Sequence, residues 1–384
     1  MRFYAVLLVL FIVIGLAGCW KRSDAPIAVP PPSDVEPIPA APPEPQVILD
    51  RIVTARTFTL EQIWSQPLIG VDAMALLPDE TPRLLVPYEG NLIAVLDLLG
   101  NIQIKEKESP EGLEDSIVMD IHAVNFFSGK QRIGVVSLDG KFYLFDEAFQ
   151  PIAVYNTESD EIKEGTIRDF QFIQHQGKEL LLLGIQQNSV RDDATANGMI
   201  HAVDLQGSKR WECPFEGTLN QISSAVMDDQ VCALVSCTAS QDQDVILVLA
   251  PDGTATEPVN FDFGRHILWF QVLYPTIYTL VLNTDGDVRF VGFDMNGKAK
   301  WSRLLPTCDY EVEPVYMPKE KKWLVPSPSG EIFVFDMIGN MIDTFSLDVV
   351  PTGLICAEMN GDTVLLVADG EMVSAWQVHS HLYF

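Results

Sequence analysis

The feature that most restricts the fold of this chain is a repeated unit of about 40–50 residues. In each unit a Gly-containing turn leads into an apolar run that ends at a fixed anchor position. The anchor is aspartate in five units, at Asp97, Asp146, Asp204, Asp294 and Asp336. Two further units place Ala250 and Trp376 there. Successive anchors are 49, 58, 46, 44, 42 and 40 residues apart, as their numbers show.

Each unit fits four short β-strands joined by tight turns. Pairs such as Glu89-Gly90, Asp139-Gly140 and Asn197-Gly198 are turn signals between adjacent strands. Runs of valine, isoleucine, leucine and phenylalanine suit buried strands, and no long segment after residue 20 has helical periodicity. Seven units predict an all-β chain that forms a seven-bladed β-propeller. A ring of eight blades, one of them hidden in the sequence, remains the alternative.

The two ends of the repeat region predict how the ring closes. After the last anchor only residues 377–384 remain, too few for a complete fourth strand. The segment around Trp64 resembles the segment around Trp301, which is a fourth strand in its own unit. We therefore expect residues 57–66 to complete the last blade from the N-terminal side. Such closure removes sheet edges that would otherwise invite aggregation.

The N-terminus predicts export and lipidation. Arg2 is followed by an uncharged apolar run over residues 3–16, which is typical of a signal peptide and short for a bilayer-spanning helix. The sequence Leu16-Ala17-Gly18-Cys19 resembles the bacterial lipobox, which implies cleavage before Cys19 and acylation of its thiol. Several acyl chains would anchor the chain stably to a membrane. Trp20, in place of a retention aspartate, implies the outer membrane if the host is Gram-negative.

Three segments follow from this organisation. Residues 1–18 are the predicted signal peptide. Residues 19–48 are the predicted lipidated cysteine and a proline-rich linker that favours extended polyproline II. Residues 49–384 are the predicted propeller.

Two of the repeats resemble a known family. The Asp-x-x-Gly-x-x-x-Trp units from Asp204 to Trp211 and from Asp294 to Trp301 are similar to the repeat of quinoprotein-like (PQQ-like, WD40-like) propellers. That family includes enzymes that bind pyrroloquinoline quinone. It also includes the propeller lipoprotein of the outer-membrane β-barrel assembly machine, which shares the order of lipid cysteine, linker and propeller but has eight blades. Family likeness alone does not transfer function.

The charge of the chain excludes some partners. The sequence has 53 Asp and Glu against 25 Lys and Arg, for a net charge of −28. Because phosphates require a basic surface, this composition argues against nucleic acid binding. Beyond Cys19 there are five cysteines without a Cys-x-x-Cys pair. Free buried thiols are expected, with a single disulfide as the alternative.

No residues are predicted to be catalytic or to bind a metal, and no cofactor is expected. The family resemblance implies that many quinone-dependent enzymes carry two adjacent cysteines over the cofactor. This sequence contains no such Cys-Cys pair. Asp204 and Asp294 are expected to shape turns rather than to act as bases. The small acidic turn at Asn283, Asp285 and Asp287 is expected to be a solvated hairpin, and His379 and His381 to lie in a terminal tail.

The candidate partner-facing residues are acidic. In a propeller, the connections from a fourth strand to the next blade and the turns between second and third strands lie on one face. Acidic residues concentrate there, which suggests recruitment of a cationic partner, although solubility explains the same pattern. The candidates are Glu158, Asp160, Glu161, Glu164, Asp192 and Asp193.

The sequence as a whole predicts a lipid-anchored protein of the cell envelope, on the periplasmic side or at the cell surface. Its propeller is expected to be a non-catalytic scaffold for an envelope protein. Two alternatives stay open: a quinone-dependent dehydrogenase or other propeller enzyme, and a propeller that binds a cation or small ligand.

Overall fold

The chain folds as a seven-bladed β-propeller. The computed structural model describes residues 52–71, 73–77, 82–105, 113, 116–125, 130–155, 165–175, 178–187, 197–227, 230–238, 244–255, 258–261, 266–306 and 312–381. All regular secondary structure in these ranges is β-strand. No helix with the length and apolar character needed to cross a bilayer occurs among them. The predicted signal peptide, Cys19 and the linker lie outside the described residues.

Six blades are four-stranded antiparallel sheets of consecutive strands. Two strands, β1 (Ile52–Thr54) and β2 (Phe58–Pro67), precede them. Blade 1 contains β3 (Ala75–Leu77), β4 (Arg83–Tyr88), β5 (Leu92–Asp97) and β6 (Ile102–Lys105). Blade 2 contains β7 (Val118–Asn125), β8 (Gln131–Ser137), β9 (Phe142–Phe145) and β10 (Pro151–Tyr155). Blade 3 contains β11 (Gly165–His175), β12 (Lys178–Gln187), β13 (Asn197–Asp204) and β14 (Lys209–Glu216).

The other blades continue this order. Blade 4 contains β15 (Thr218–Met227), β16 (Gln230–Thr238), β17 (Asp244–Leu249) and β18 (Val259–Asn260). Blade 5 contains β19 (His266–Leu273), β20 (Thr276–Leu282), β21 (Val288–Phe293) and β22 (Ala299–Leu304). Blade 6 contains β23 (Val315–Met317), β24 (Lys322–Pro326), β25 (Glu331–Asp336) and β26 (Met341–Ser346). Blade 7 contains β27 (Gly353–Met359), β28 (Asp362–Ala368) and β29 (Met372–Ser380).

Blade 7 is completed from the other end of the chain. Strand β2 pairs antiparallel with β29, with Ser65 opposite Ser374, and β1 pairs with the outer side of β2. The prediction that residues 57–66 supply the fourth strand of the last blade is therefore confirmed. The additional strand β1 was not predicted.

The hydrophobic core consists of one buried cluster at each junction between adjacent blades. The number of clusters therefore gives the number of blades. Each of seven buried clusters combines residues of two adjacent blades. The cluster that closes the ring packs Trp64 and Leu366 of blade 7 against Leu84 of blade 1. A ring of seven blades has seven junctions, and all seven are filled, so the eight-bladed alternative is wrong.

The repeated Asp builds the turn between the third and fourth strands. Asp204 Oδ1 accepts the N–H groups of Gln206 and Ser208 at 3.0 and 2.8 Å. Equivalent pairs of bonds occur at four other anchors: Asp97, Asp146, Asp294 and Asp336. At Ala250 the backbone bonds of the turn persist without the carboxylate. The prediction of a structural role for Asp204 and Asp294 is therefore confirmed.

The Trp of a fourth strand packs on the corresponding turn of the following blade. A Cβ added to Gly100 would lie 2.6 Å from the Trp64 ring, and one added to Gly253 would lie 2.7 Å from the Trp211 ring. Trp64 Nε1 also donates to Leu98 O at 2.8 Å. Trp301 packs on Gly339 in the same way. Since a side chain at these glycines would occupy the space of the indole, the Gly and Trp of the repeat form one contact between blades.

Candidate functional site

Two regions could carry function: the face that bears the blade connections, and the central axis. We call the first the loop face. It contains the connections that enter each first strand and the turns between second and third strands. Hydrogen bonds join these two kinds of segment, as between Leu138 N and Ile117 O at 2.8 Å and between Glu89 N and Ile69 O at 2.9 Å. At these places the connection that enters a blade and a turn of the same blade form one joined surface.

The candidate partner-facing residues predicted from the sequence lie outside the described residues. Glu158, Asp160, Glu161 and Glu164 follow β10, and Asp192 and Asp193 follow β12. Those flanking strands are a fourth strand and a second strand, as the prediction required. The placement of these six side chains stays a prediction.

Other acidic residues of the loop face are described, and they divide into surface and structural groups. Asp285 is exposed in a hairpin turn that is closed by a bond from Gly286 N to Asn283 O at 3.1 Å, as predicted. Asp139 pairs with Lys141 at 2.6 Å and accepts a bond from Ser116. Partial burial opposes ionisation there, but these hydrogen bonds outweigh it and hold the pKa of Asp139 below its ordinary value.

Asp244, the first residue of the third strand of blade 4, is buried, unlike Asp285. Its side chain is 2% exposed. It accepts Asn220 Nδ2 at 2.8 Å and the N–H of Ile267, the second residue of the next blade's first strand, at 2.7 Å. Asp244 therefore joins blades 4 and 5 and is not available to a partner.

The axis is lined by the first strands, since among the described residues the first strands contact one another at six of the seven blade junctions. Three of its titratable residues form what we call the axial cluster: Asp120, His122 and Asp169. His122 Nε2 lies 3.1 Å from Asp120 Oδ2, and its ring packs 4.7 Å from the centre of the Phe170 ring. The His122 side chain stays 41% exposed, as expected if it faces solvent along the axis.

Strand irregularities place the two carboxylates of the cluster. In β7 and β11 the register shifts by one residue just before Asp120 and Asp169. Such a bulge re-aims the side chain that follows it. Asp169 then accepts the N–H of Phe170 in its own strand at 2.7 Å and that of Ile222 in the next blade at 2.5 Å. Asp169 consequently acts as a clamp between blades 3 and 4.

Two groups of the axial cluster, His122 and Asp169, have raised pKa values. Partial desolvation of the half-exposed ring opposes protonation of His122, but the Asp120 carboxylate and the charges of Asp169 and Glu313 raise the pKa of His122 to about 9. Burial and the Asp120 charge raise the pKa of Asp169 to about 7, despite His122 and two N–H donors. Near neutral pH the protonated form of His122 is therefore favoured, and the Asp169 carboxyl is close to its titration midpoint.

This cluster was missed at the sequence level. Its only signal was polar residues inside otherwise apolar strands, as in the Val118-Met-Asp-Ile-His run. Among the described residues no group of His, Cys, Asp and Glu is arranged to hold a metal ion. His379 lies in strand β29 opposite Thr59 rather than in a terminal tail, because β29 pairs with β2, so that expectation was wrong for His379. The two histidines have different partners: His379 lies 3.3 Å from Glu61, and His381 bonds Arg56 O and Thr59.

The thiols agree with the sequence prediction where they are described. Cys213, Cys232, Cys237 and Cys356 are thiols and not disulfides, and Cys308 lies outside the described residues. Burial raises the pKa of Cys237 and of Cys356 to about 12. These thiols are therefore protonated and unreactive at neutral pH.

Comparison with known proteins supports the fold. No family model matches the chain, and no curated protein sequence matches it. Among solved structures it is similar to BBS1N, crystallised in complex with ARL6DN, with a TM-score of 0.60 and 12% identity over 83% of this chain and 96% of that one. It is also similar to BamB from Moraxella catarrhalis, with a TM-score of 0.50 and 14% identity over 85% of this chain and 96% of that one. At these identities the likeness shows the propeller fold alone.

Proposed function

We propose that this chain is a membrane-anchored envelope lipoprotein whose propeller is a non-catalytic scaffold for protein partners. The observation that carries the proposal is the loop face, where a closed ring of blades displays its connections on rigid supports. Rigid scaffolds of this kind commonly present binding loops. The anchor aspartates of the repeat accept backbone N–H groups of their own turns, so the proposal assigns partner recognition to the connections of the loop face. The BBS1N propeller was crystallised with a protein partner, which is consistent with this use of the fold.

The anchor in this proposal is Cys19. Acylation after cleavage at Gly18-Cys19 would fix the chain to the membrane, and the proline-rich segment would let the propeller stand away from the lipid. Trp20 stands where an aspartate would mark retention in the inner membrane. If the host is Gram-negative, the proposed location is therefore the outer membrane, facing the periplasm or the cell surface.

The proposal is tested by gentle extraction of the membrane fraction followed by purification of the full chain. A protein that co-purifies in fixed proportion is expected. Cys19→Ser is the control for lipidation: wild type should incorporate a labelled fatty acid in cells, and Cys19→Ser should not. Because this variant would also keep the apolar segment before residue 19, its position in membrane or soluble fractions is not the readout. Equal labelling of wild type and Cys19→Ser would overturn the lipid anchor at Cys19. A chain that purifies alone, also after cross-linking in cells, would overturn the scaffold function.

The predicted acidic connections allow a finer test. Changing Glu158, Asp160, Glu161 and Glu164 to Lys should weaken capture of the co-purifying partner at low salt, and raised salt should weaken capture by the wild type. Unchanged capture under both conditions would remove this segment from the docking surface.

The axial cluster favours one other function, the binding of a small ligand on the axis. His122 and Asp120 could present a cation and a carboxylate to such a ligand. A quinone enzyme is the further alternative. Pyrroloquinoline quinone with calcium is the direct probe: a raised melting temperature or a bound-cofactor absorbance would favour the enzyme, and neither is expected from a scaffold.

A further inference from the structure

The loop face carries a row of exposed apolar side chains across four consecutive blades. We call Val350, Ile69, Ile117 and Leu138 the apolar row. Their relative exposures lie between 47% and 64%. Single exposed apolar residues are normal on soluble proteins, whereas a contiguous series often marks an interaction site. The question is therefore whether these four residues form one surface.

Contacts between the chain segments that carry the row link these segments to one another from blade 6 to blade 2. Val350 lies beside the turn between the second and third strands of blade 6. Its Cγ2 atom is 3.7 Å from the position that a Cβ on Gly330 would take. From there Thr352 Oγ1 donates to Val71 O at 2.6 Å, which ties the entry of blade 7 to the entry of blade 1.

The row then passes through the blade 1 turn. Ile69 O accepts Glu89 N, and Ile117 Cγ1 lies 3.8 Å from the position of a Cβ on the neighbouring Gly90. Ile117 O in turn accepts Leu138 N. Ile69, Ile117 and Leu138 thus lie on segments that are joined by backbone hydrogen bonds.

The row is bordered by negative charge. The described residues of the segments that carry it (347–353, 369–371, 68–71, 73–74, 89–91, 116–117 and 138–141) contain five carboxylates and one lysine. The lysine, Lys141, is paired with Asp139. The carboxylates are Asp348, Asp369, Glu371, Glu89 and Asp139.

This combination selects the class of partner. A second copy of the chain would bring carboxylates against carboxylates, and anionic lipid would be repelled in the same way. A basic segment with apolar side chains satisfies both features, because its cations meet the carboxylates while its apolar groups cover the row. We infer that the apolar row docks a basic, apolar segment of a partner protein. This inference rests on the scaffold function proposed above and names its docking surface.

The opposite face of the propeller supplies a matched control. Leu99 and Ile338 lie in the turns between third and fourth strands and are 65% and 67% exposed. Met341, which begins the fourth strand of blade 6 directly after the turn that holds Ile338, is 58% exposed. The row variant is Ile69→Ser, Ile117→Ser and Val350→Ser, and the control variant is Leu99→Ser, Ile338→Ser and Met341→Ser. Both remove exposed apolar groups, so both should keep the wild-type melting temperature.

The binding experiment uses the full-length lipoprotein in nanodiscs of zwitterionic lipid, with empty nanodiscs subtracted. The probes are three peptides of equal length: alternating Lys and Leu, alternating Lys and Ser, and alternating Glu and Leu. We expect the Lys/Leu peptide to bind wild type and control variant with Kd values within twofold of each other. The row variant should bind it at least tenfold more weakly, and added salt should weaken all binding.

Three results would overturn the inference: equal losses in the two variants, binding of the Glu/Leu peptide as tight as that of Lys/Leu, or Lys/Ser binding as tight as Lys/Leu. The same row variant separates this inference from the proposed function. If the native partner still co-purifies with it from membranes, the scaffold function stands and the apolar row is not its docking surface. If nothing co-purifies with wild type, the scaffold function itself fails.

Discussion

At the scale of single residues, the aspartates of this chain have three different environments. The repeat aspartates close turns by accepting backbone N–H groups. Asp244 and Asp169 reach across blade junctions and accept an N–H of the next blade. Asp139 and Asp285 remain on the surface. Because all three groups are carboxylates in similar sequence surroundings, only their neighbours decide which aspartates are structural.

The turn aspartate should contribute measurably to stability. Asp204→Ala removes two backbone hydrogen bonds and the bond from Arg210, so we expect a loss of about 1–3 kcal/mol in the free energy of unfolding. Ala250→Asp is the reverse change in a turn with the same backbone bonds, and it should be neutral or stabilising by up to about 1 kcal/mol. Urea denaturation measures both. A destabilised Ala250→Asp would show that the two turns are not equivalent.

The axial cluster should make stability fall as pH rises. Asp169 has a raised pKa of about 7, so the folded state favours its protonated form, and stability is lost from about pH 4 to pH 7. His122 has a raised pKa of about 9, so its contribution is complete below about pH 6.5 and is lost as pH rises through 9. Asp169→Asn should flatten the first part of this decline. Denaturation at pH 5, 7 and 9 tests it, and an unchanged slope between pH 5 and 7 would contradict the shift.

At the scale of elements, each blade depends on its neighbours. A fourth strand delivers its Trp to a glycine turn of the following blade, and first strands with bulges deliver Asp169 and Gln221 to N–H groups of the following blade. The sheets themselves therefore provide only part of the fold, and the contacts between sheets fix how adjacent blades pack.

Trp64 offers a way to separate the packing and the hydrogen bond at one such contact. Trp64→Phe keeps an aromatic ring beside Gly100 but loses the bond to Leu98 O, so we expect a loss of about 1 kcal/mol. Trp64→Ala also removes the buried ring and should cost about 3–5 kcal/mol. Thermal or urea unfolding distinguishes the two variants. Equal losses would mean that the indole N–H, not the ring, makes the contact.

At the scale of the whole molecule, the ring is held by the pairing of β2 with β29. This pairing joins residues near both ends of the propeller, and its loss would leave blade 7 without its outer strands.

A disulfide across this closure should stabilise the ring. Ser65→Cys with Ser374→Cys would link facing residues of β2 and β29, and the long loop from 65 to 374 predicts a gain of up to about 5 kcal/mol. The control pair, Val291→Cys with Ser302→Cys, links facing residues within blade 5 across a short loop and should contribute less. Melting temperatures of oxidised and reduced protein measure both. A larger gain from the control pair would show that closure does not limit unfolding.

The amino-acid sequence was sufficient to predict the all-β class, the seven blades, the turn role of the anchor aspartates and the closing strand. These follow from local patterns: apolar runs, glycine turns, and a Trp64 segment that matches the Trp301 segment. The tertiary structure was needed to exclude an eighth blade, to show that Asp244 is buried, and to bring Asp120, His122 and Asp169 together. It also brought Val350, Ile69, Ile117 and Leu138 into one row. Such groupings depend on which blades become neighbours in space, and that information is not contained in any single repeat.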